Sequence, residues 1–181
     1  MCDNSLKCVC FLYIPAMTDL FERWLCKKAL EGWRLEEIHG KQFFFRKCLP
    51  YATDYLSYTF FGNWSPFGQD FFAAKMQYSS KKSKLNKNKS VLTVFEVDKD
   101  KVDLQFYSLK IKRDLLYIKH YLGLLMYSIV QSLLSIYLAM ENDVFLFFVV
   151  VSGLMIAYSL LSIAILAFET MRHRNFVSNL P

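Results

Sequence analysis

The sequence lacks the short motifs that commonly mark an enzyme active site. It contains no G-x-S-x-G, H-E-x-x-H or Walker-type loop, the patterns of a hydrolase nucleophile, a zinc peptidase and a phosphate-binding loop. Its three histidines, His39, His120 and His173, are far apart in the chain. We therefore predict that the protein is not an enzyme and that it has no catalytic residues and no cofactor.

The sequence also lacks a usual metal-binding spacing. Its five cysteines all precede residue 49, at Cys2, Cys8, Cys10, Cys26 and Cys48. Cys8-x-Cys10 is not a usual zinc spacing, and the sequence offers no second Cys/His pair that would complete a zinc site. We therefore predict no metal site. On a strand the two thiols would share one face, where we expect them to be small buried side chains.

Two long stretches lack every charged residue and histidine. They cover residues 121–140 and 144–168, and only Glu141, Asn142 and Asp143 separate them. A helix needs roughly 20 residues to cross a hydrocarbon core about 30 Å thick. The two stretches therefore predict a transmembrane helical hairpin, in contact with the lipid bilayer on most sides.

The basic residues around the hairpin predict its orientation. They lie on the outer flanks of both stretches, while the three-residue connection carries none: Lys110, Lys112, Arg113, Lys119, Arg172 and Arg174. Lys and Arg near a span remain on the cytoplasmic side. We predict a multi-pass protein of the cell membrane with both termini in the cytoplasm, and the N-terminus carries no signal-peptide pattern. Disulfides are rare in that reducing compartment, so we expect few among the cysteines.

Small and polar residues within the hairpin mark a candidate helix–helix interface. Small side chains let helices approach closely, and hydroxyl or amide groups hydrogen-bond between them. Such an interface would lie inside the hairpin or in a homo-oligomer. Its candidate residues are Ser128, Gln131, Ser132, Ser135, Gly153 and Ala157.

The first 108 residues predict a cytoplasmic α+β domain. Residues 6–13 read as a buried strand, and Thr18 and Asp19 favour a helix start. Gly32 suits the end of that helix. Strands are then predicted over 33–39, 41–47 and 54–61, as a three-strand meander with the helix on one face. A further β-hairpin is predicted from 91–97 and 102–107, extending the same sheet, and a juxtamembrane helix from 109–120. Residues 169–181 are expected to form a cytoplasmic tail.

Two segments of this domain suggest contact with the membrane. Segment 79–90 has five lysines and no acid, and predicts a solvated basic loop. Because it lacks interleaved aromatic residues, we expect no nucleic-acid partner. Segment 60–72 is strongly aromatic, and its rings would either close the sheet or rest on the membrane interface. The candidate interface residues are Trp64, Phe67 and Phe71 of this segment, together with Lys110, Lys112, Arg113 and Lys119 of the juxtamembrane helix.

The N-terminal residues resemble a known family. Trp24-Leu25, Ala29 and Gly32-Trp33-x-Leu35 precede an aromatic strand ending in Phe45-Arg46-Lys47, and a Tyr55-x-x-Tyr58 strand follows. This pattern is similar to the bacterial domain-of-unknown-function family twenty-eight-twelve, whose members often carry C-terminal membrane helices and neighbour PadR-type regulators. Lys28 and Glu31 depart from the family's usual residues. The family has no established activity, so the resemblance implies no catalytic residues.

Trp24 and Trp33 could line a ligand pocket, but a stripe at helical spacing is more typical of a core. The resulting hypothesis is a membrane-anchored regulatory or binding module whose cytoplasmic domain recognises a protein or a ligand. The alternative is a structural accessory subunit of a larger membrane complex, such as an exporter or an envelope-stress system. In the first case the hairpin is only an anchor; in the second it binds a protein partner.

Overall fold

The computed structural model describes residues 6–11, 13–39, 41–60, 79–84, 91–99, 102–139 and 144–178. The chain divides into an N-terminal unit, Met1–Arg113, and a C-terminal unit, Asp114–Pro181. The described elements are β1 (Leu6–Cys10), α1 (Thr18–Leu30), β2 (Trp33–His39), β3 (Gln42–Lys47), β4 (Thr53–Phe60), β5 (Ser79–Lys84), β6 (Val91–Asp98), α2 (Leu104–Ala139) and α3 (Val144–Ser178).

The described strands of the N-terminal unit form two antiparallel sheets. The first has the order β1-β3-β2 and the second the order β4-β6-β5. Each sheet therefore places its last strand between its first and its second, so the two share one internal order. Strand β2 of the first sheet also lies near β5 of the second. An α+β class with antiparallel sheets agrees with the prediction.

Helix α1 begins and ends where its sequence predicts. A turn of 3-10 helix, Pro15–Met17, leads into it, and the Thr18 hydroxyl donates a hydrogen bond to the carbonyl of Pro15 at 2.6 Å. At the other end Gly32 adopts φ +79°, a left-handed conformation in which a side chain is strained. A Cβ atom at Gly32 would also lie 2.7 Å from the carbonyl oxygen of Cys48.

The core lies between α1 and the strands. Helix α1 contributes Phe21, Leu25 and Ala29, which follow one another at helical spacing and so form one face. The strands add buried aromatic and aliphatic side chains from both sheets: Leu35, Ile38, Phe43, Phe45, Tyr55, Leu92 and Val94. One core therefore joins the two sheets within the N-terminal unit.

Three details of the predicted domain are wrong. Strand β4 pairs with β6, so it does not complete a meander with β2 and β3. The predicted partner of β6, residues 102–107, is instead the start of α2, where the carboxylate of Asp103 accepts a hydrogen bond from the Phe106 N–H at 2.9 Å. An acid in this position caps a helix, and that signal was missed.

The third correction concerns the basic segment 79–90. Its first half, Ser79–Lys84, is strand β5, paired with β6 at the end of the second sheet. Backbone hydrogen bonds form this strand without apolar side chains, and lysines on edge strands are a common protection against further pairing. Residues 85–90 lie outside the described residues.

The C-terminal unit holds two long helical segments that run antiparallel. The hydroxyls of Tyr121 and Tyr158 lie 3.4 Å apart, and His173 Nε2 lies 3.8 Å from Asp114 Oδ2. Contacts between residues early in one helix and late in the other require opposite directions. Within the described residues one segment, Phe147–Ser178, is long and apolar enough to cross a bilayer. The predicted turn, residues 141–143, is not among those described.

Candidate functional site

A buried charge cluster lies inside the N-terminal unit. We define it as Asp19 and Glu22 of α1 together with Lys110 and Arg113 of α2. Each pair has i,i+3 spacing, which places both side chains on one face of their helix. All four residues are buried, and Arg113 is 0% exposed. Buried charges are costly unless they are paired and hydrogen-bonded, so the internal geometry of the cluster decides its stability.

Glu22 is the centre of the cluster. Its Oε1 atom accepts hydrogen bonds from Arg113 Nη1 at 2.5 Å, from the Ser57 backbone N–H at 2.6 Å and from the Ser57 hydroxyl at 3.0 Å. Its Oε2 atom lies 2.8 Å from Lys110 Nζ. Arg113 also donates to the Ser57 carbonyl at 3.3 Å. One carboxylate therefore connects α1, strand β4 and the beginning of α2.

The charges of the cluster balance. Lys110 Nζ lies 4.0 Å from Asp19 Oδ1, which adds a second acid to the two bases. Burial by itself would raise the pKa of Glu22, but Arg113, Lys110 and the Ser57 N–H together hold that pKa below its ordinary value. Glu22 is consequently an anion at neutral pH. Because the partners that Glu22 has among the described residues belong to the N-terminal unit, the cluster acts as a structural junction.

Two residues of this junction were predicted to contact the membrane surface. The structure corrects that prediction for Lys110 and Arg113, because their charged groups pair with Glu22 in the interior. Lys112 and Lys119 are exposed, and their contact with headgroups stays a prediction. Trp64, Phe67 and Phe71 lie outside the described residues.

Glu22 and Asp19 were missed by sequence reasoning, although a signal existed. Thr18, Glu22, Leu25 and Ala29 recur at the spacing of one helical face, so Glu22 stands within the apolar stripe of α1. A carboxylate in that position requires a buried cation. The sequence could not indicate which cation, since Arg113 lies 91 residues further along the chain.

A cavity of about 300 Å³ opens elsewhere in the N-terminal unit. Two of its lining residues form an ion pair, with Arg34 Nε 3.3 Å from Glu96 Oε2. The hydroxyl of a third, Tyr51, lies 3.3 Å from the hydroxyl of Tyr55. Burial raises the pKa of both tyrosines, so they are neutral hydrogen-bonding groups at neutral pH. The lining is formed by Arg34, Cys48, Leu49, Pro50, Tyr51, Glu96 and Asp98.

This lining suits a small polar ligand. The volume is at the lower end of the range for ligand pockets, and an arginine, two acids and a phenol offer both donors and acceptors. Neither tryptophan singled out from the sequence lines the cavity. Trp24 packs among the rings of Phe11, Phe43 and Phe45, with centroids 4.6 to 5.8 Å apart.

Trp33 packs against the edge of the core and is covered by two lysines. The ammonium groups of Lys7 and Lys47 lie 5.2 Å and 4.6 Å from its ring centroid. Contacts of this kind are cation–π interactions. Both tryptophans therefore belong to the packing of the domain, as the core interpretation of the sequence holds.

The candidate interface residues of the helices lie on two different faces. Ser128 and Ser135 of α2 are buried, as are Ser152, Ser159 and Ser162 of α3. Gln131 and Ser132 are half-buried, whereas Gly153 and Ala157 are exposed. Ser128 and Ser152 donate to carbonyls of their own helices, at 2.8 Å and 3.0 Å. Gly153 has open space where a side chain would lie, so it makes no close packing contact there.

The cysteines differ sharply in accessibility. Cys8 and Cys10 are exposed free thiols, so the prediction that they are buried is wrong. The half-buried Cys26 donates to Asp54 Oδ1 at 3.8 Å, and burial followed by the charge of Asp54 raises its pKa to about 11. Cys48 is disulfide-bonded, whereas few disulfides were expected for a domain in a reducing compartment. Among the described residues, no three His, Cys, Asp or Glu side chains form a metal-binding group.

Comparison with known proteins gives no match: no family model, no curated protein and no solved structure is similar to this chain. The resemblance to family twenty-eight-twelve therefore stays a prediction.

Proposed function

We propose that the chain is a membrane-anchored regulatory or binding module. In this proposal, 121–140 and 144–168 are two transmembrane helices, both termini are cytoplasmic, and the α+β domain recognises a small ligand or a protein. The observation that carries it is the Glu22 junction. It fixes the start of α2 to the domain, and the same helix continues into the apolar stretch that begins at residue 121.

The exposed surface of the C-terminal helices supports the membrane anchor. Only 22% of the most apolar window in Phe147–Ser178 is buried, whereas the core helix of a soluble protein would be mostly covered. Large apolar side chains are exposed on α2 as well: Met126, Tyr127, Val130, Leu133, Leu134 and Tyr137. A contiguous apolar surface of this extent is unfavourable in water and favourable in lipid.

The distribution of charge supports both termini being cytoplasmic. The exposed bases Lys112 and Lys119 precede the first apolar stretch, and Arg172 and Arg174 follow the second. The intervening turn contains two acids and no base. With two spans and basic residues only on the outer flanks, the positive-inside rule favours one orientation.

Ligand recognition by the domain is supported by the cavity beside Arg34. Its mixture of cationic, anionic and phenolic groups would orient a polar molecule. Its lining residues come from β2 of the first sheet, from β6 of the second sheet and from the segment before β4. A ligand that bridged these elements would change how they pack against one another.

Thiol accessibility in intact cells tests the topology directly. A membrane-impermeant maleimide should label an Asn142→Cys variant from outside, while Cys8 and Cys10 react only after the membrane is permeabilised. The two native thiols serve as internal controls because both are exposed on the domain. Labelling of Cys8 and Cys10 in intact cells, or recovery of the chain in the soluble fraction without detergent, would contradict the proposal.

One observation favours the alternative of an accessory subunit in a larger membrane complex. Gly153 and Ala157 share a face of α3 by their i,i+4 spacing, and that face is exposed, as small-residue contacts between membrane proteins require. Replacing 121–168 with an unrelated hairpin separates the two functions. Activity in cells that survives the exchange supports the anchor, whereas loss with normal insertion supports the subunit.

A further inference from the structure

Strand β1 carries two free thiols on its accessible side. It lies at an end of the first sheet, paired with β3 alone among the described strands. Cys8 and Cys10 occupy alternate positions of β1, so both side chains project from the same face of the sheet. Both are exposed. The intervening Val9 packs against the core on the opposite face, which fixes the orientation of the pair.

The extended backbone of this pair disfavours a disulfide between its members. Residues two apart on a strand are separated by about 6.6 Å, because the rise is about 3.3 Å per residue. A disulfide requires its two Cβ atoms to be roughly 3.5–4.5 Å apart. The paired strand β3 holds the backbone extended at these positions, with Cys8 opposite Phe44 and Cys10 opposite Gln42. The thiols therefore stay separate while remaining neighbours.

The same spacing suits an ion that bridges two sulfurs. Two metal–sulfur bonds of about 2.3 Å place the sulfurs roughly 4.6 Å apart when the arrangement is linear. Thiol side chains that start about 6.6 Å apart reach this separation by leaning toward each other. The strand need not be distorted, in contrast to the case of a disulfide.

The ligand set selects the kind of ion. No third His, Cys, Asp or Glu completes a metal-binding group among the described residues, so a tetrahedral zinc site is not formed there. Thiolates without oxygen or nitrogen ligands favour soft ions such as Cu(I). The neighbouring Phe44 and Gln42 add no charge, so two thiolates and one monovalent ion would form a complex with a single negative charge.

We propose that Cys8 and Cys10 form a two-coordinate site for a soft monovalent metal ion of the Cu(I) class. On binding, each thiol loses its proton to solvent and each sulfur forms one bond to the metal, without oxidation or reduction of either partner. The site uses neither the charge cluster nor the apolar helices. It is therefore independent of the proposed membrane anchor.

Silver(I) is the probe for this site, because it is soft and monovalent and needs no reductant. The full chain, held in detergent micelles, is titrated with silver(I) under non-reducing conditions that leave the Cys48 disulfide intact. Imidazole is present in excess as a competing ligand that does not react with disulfides. We expect silver to slow iodoacetamide alkylation at both Cys8 and Cys10 by at least tenfold, as followed by residue-resolved mass spectrometry. Cys8→Ser and Cys10→Ser should each abolish protection of the remaining thiol, while Cys26→Ser should preserve protection of the pair.

A spacing variant gives the strictest control. Val9→Cys combined with Cys10→Ser keeps two thiols on the strand but places them on opposite faces, so it should lose the protection. Unchanged tryptophan fluorescence of each variant verifies its folding. The proposal is overturned if either single serine variant keeps the remaining thiol protected, if the spacing variant protects as well as the natural pair, or if silver leaves both alkylation rates unchanged.

Discussion

Replacement of Glu22 by glutamine tests whether the charge cluster holds the N-terminal unit together. Glutamine has nearly the same shape and still accepts the hydrogen bonds from Ser57. It removes the negative charge that Arg113 and Lys110 share in the interior. Arg113 is 0% exposed and Lys110 is 6% exposed, so neither cation can recover its hydration without opening the structure.

Breaking one partner of a buried pair costs about 3–5 kcal/mol, because the remaining charge is left in the interior. For a domain of this size, each kcal/mol lowers the melting midpoint by about 4–8 °C. The Glu22→Gln variant should therefore melt at least roughly 12 °C below the natural protein. That loss is a large part of the stability of a typical domain, about 5–15 kcal/mol.

Tryptophan fluorescence provides the assay in the full chain. All three tryptophans, at positions 24, 33 and 64, precede residue 113, so the signal comes from the N-terminal unit even when the helices remain in detergent. Glu31→Gln, at the C-cap of the same helix, is the matched control. Glu31 pairs with Lys28 at the surface, and we expect no measurable shift because exposed pairs contribute little.

A double variant distinguishes the loss of the Glu22–Arg113 ion pair from a general effect of the substitution on packing. Arg113→Met added to Glu22→Gln removes the stranded guanidinium, so the double variant should be more stable than the sum of the single effects predicts, by roughly 1–3 kcal/mol. If Glu22→Gln melts within a few degrees of the natural protein, or if the two effects add without coupling, the cluster does not stabilise the domain as argued.

Three further outcomes follow from the same structure. Gly32→Ala should destabilise the N-terminal unit by about 1–3 kcal/mol in denaturant titrations. The reason is that φ at Gly32 is +79° and the new Cβ would lie 2.7 Å from the Cys48 carbonyl oxygen. An unchanged denaturation midpoint would refute this close approach. At pH 8 iodoacetamide should modify Cys8 at least tenfold faster than Cys26, whose pKa is raised to about 11, and equal rates measured by mass spectrometry would contradict its burial. The pKa of Glu22 is lowered on folding, so its contribution to stability is present above about pH 4.5 and is lost as the pH falls through the lower folded pKa. The melting midpoint of Glu22→Gln should therefore fall less steeply with decreasing pH than that of the natural protein. Parallel curves for the two proteins would contradict the lowered pKa of Glu22.

Local sequence patterns predicted those elements that depend on neighbouring residues. The start of α1 at Thr18 follows from the preference of Thr and Asp for helix N-termini, and its end before Gly32 follows from glycine conformation. Strands β2 and β3 follow from side-chain alternation. The long apolar stretch of α3 also follows from composition alone. In each case the residues that cause the local structure lie within a few positions of it in the sequence.

The pairing of β4 with β6 and the position of Arg113 could not be read in this way. Residues 54–61 carry the alternation of a strand, but alternation does not identify the partners of β4, which lie 31 to 45 residues away. Arg113 and Lys110 resembled ordinary basic residues flanking a membrane span. Their burial is compensated by Glu22 and Asp19 of α1, which lie far from them in the sequence.

The sequence by itself determined that the chain has a stretch long and apolar enough to cross a bilayer and that an α+β domain precedes it, since both depend on local hydrophobicity and periodicity. The tertiary structure alone decided which charges leave the surface and which thiols remain on it. Burial and pairing are properties of residues brought together from distant positions, and the free energy of a charge or a thiol depends on those surroundings.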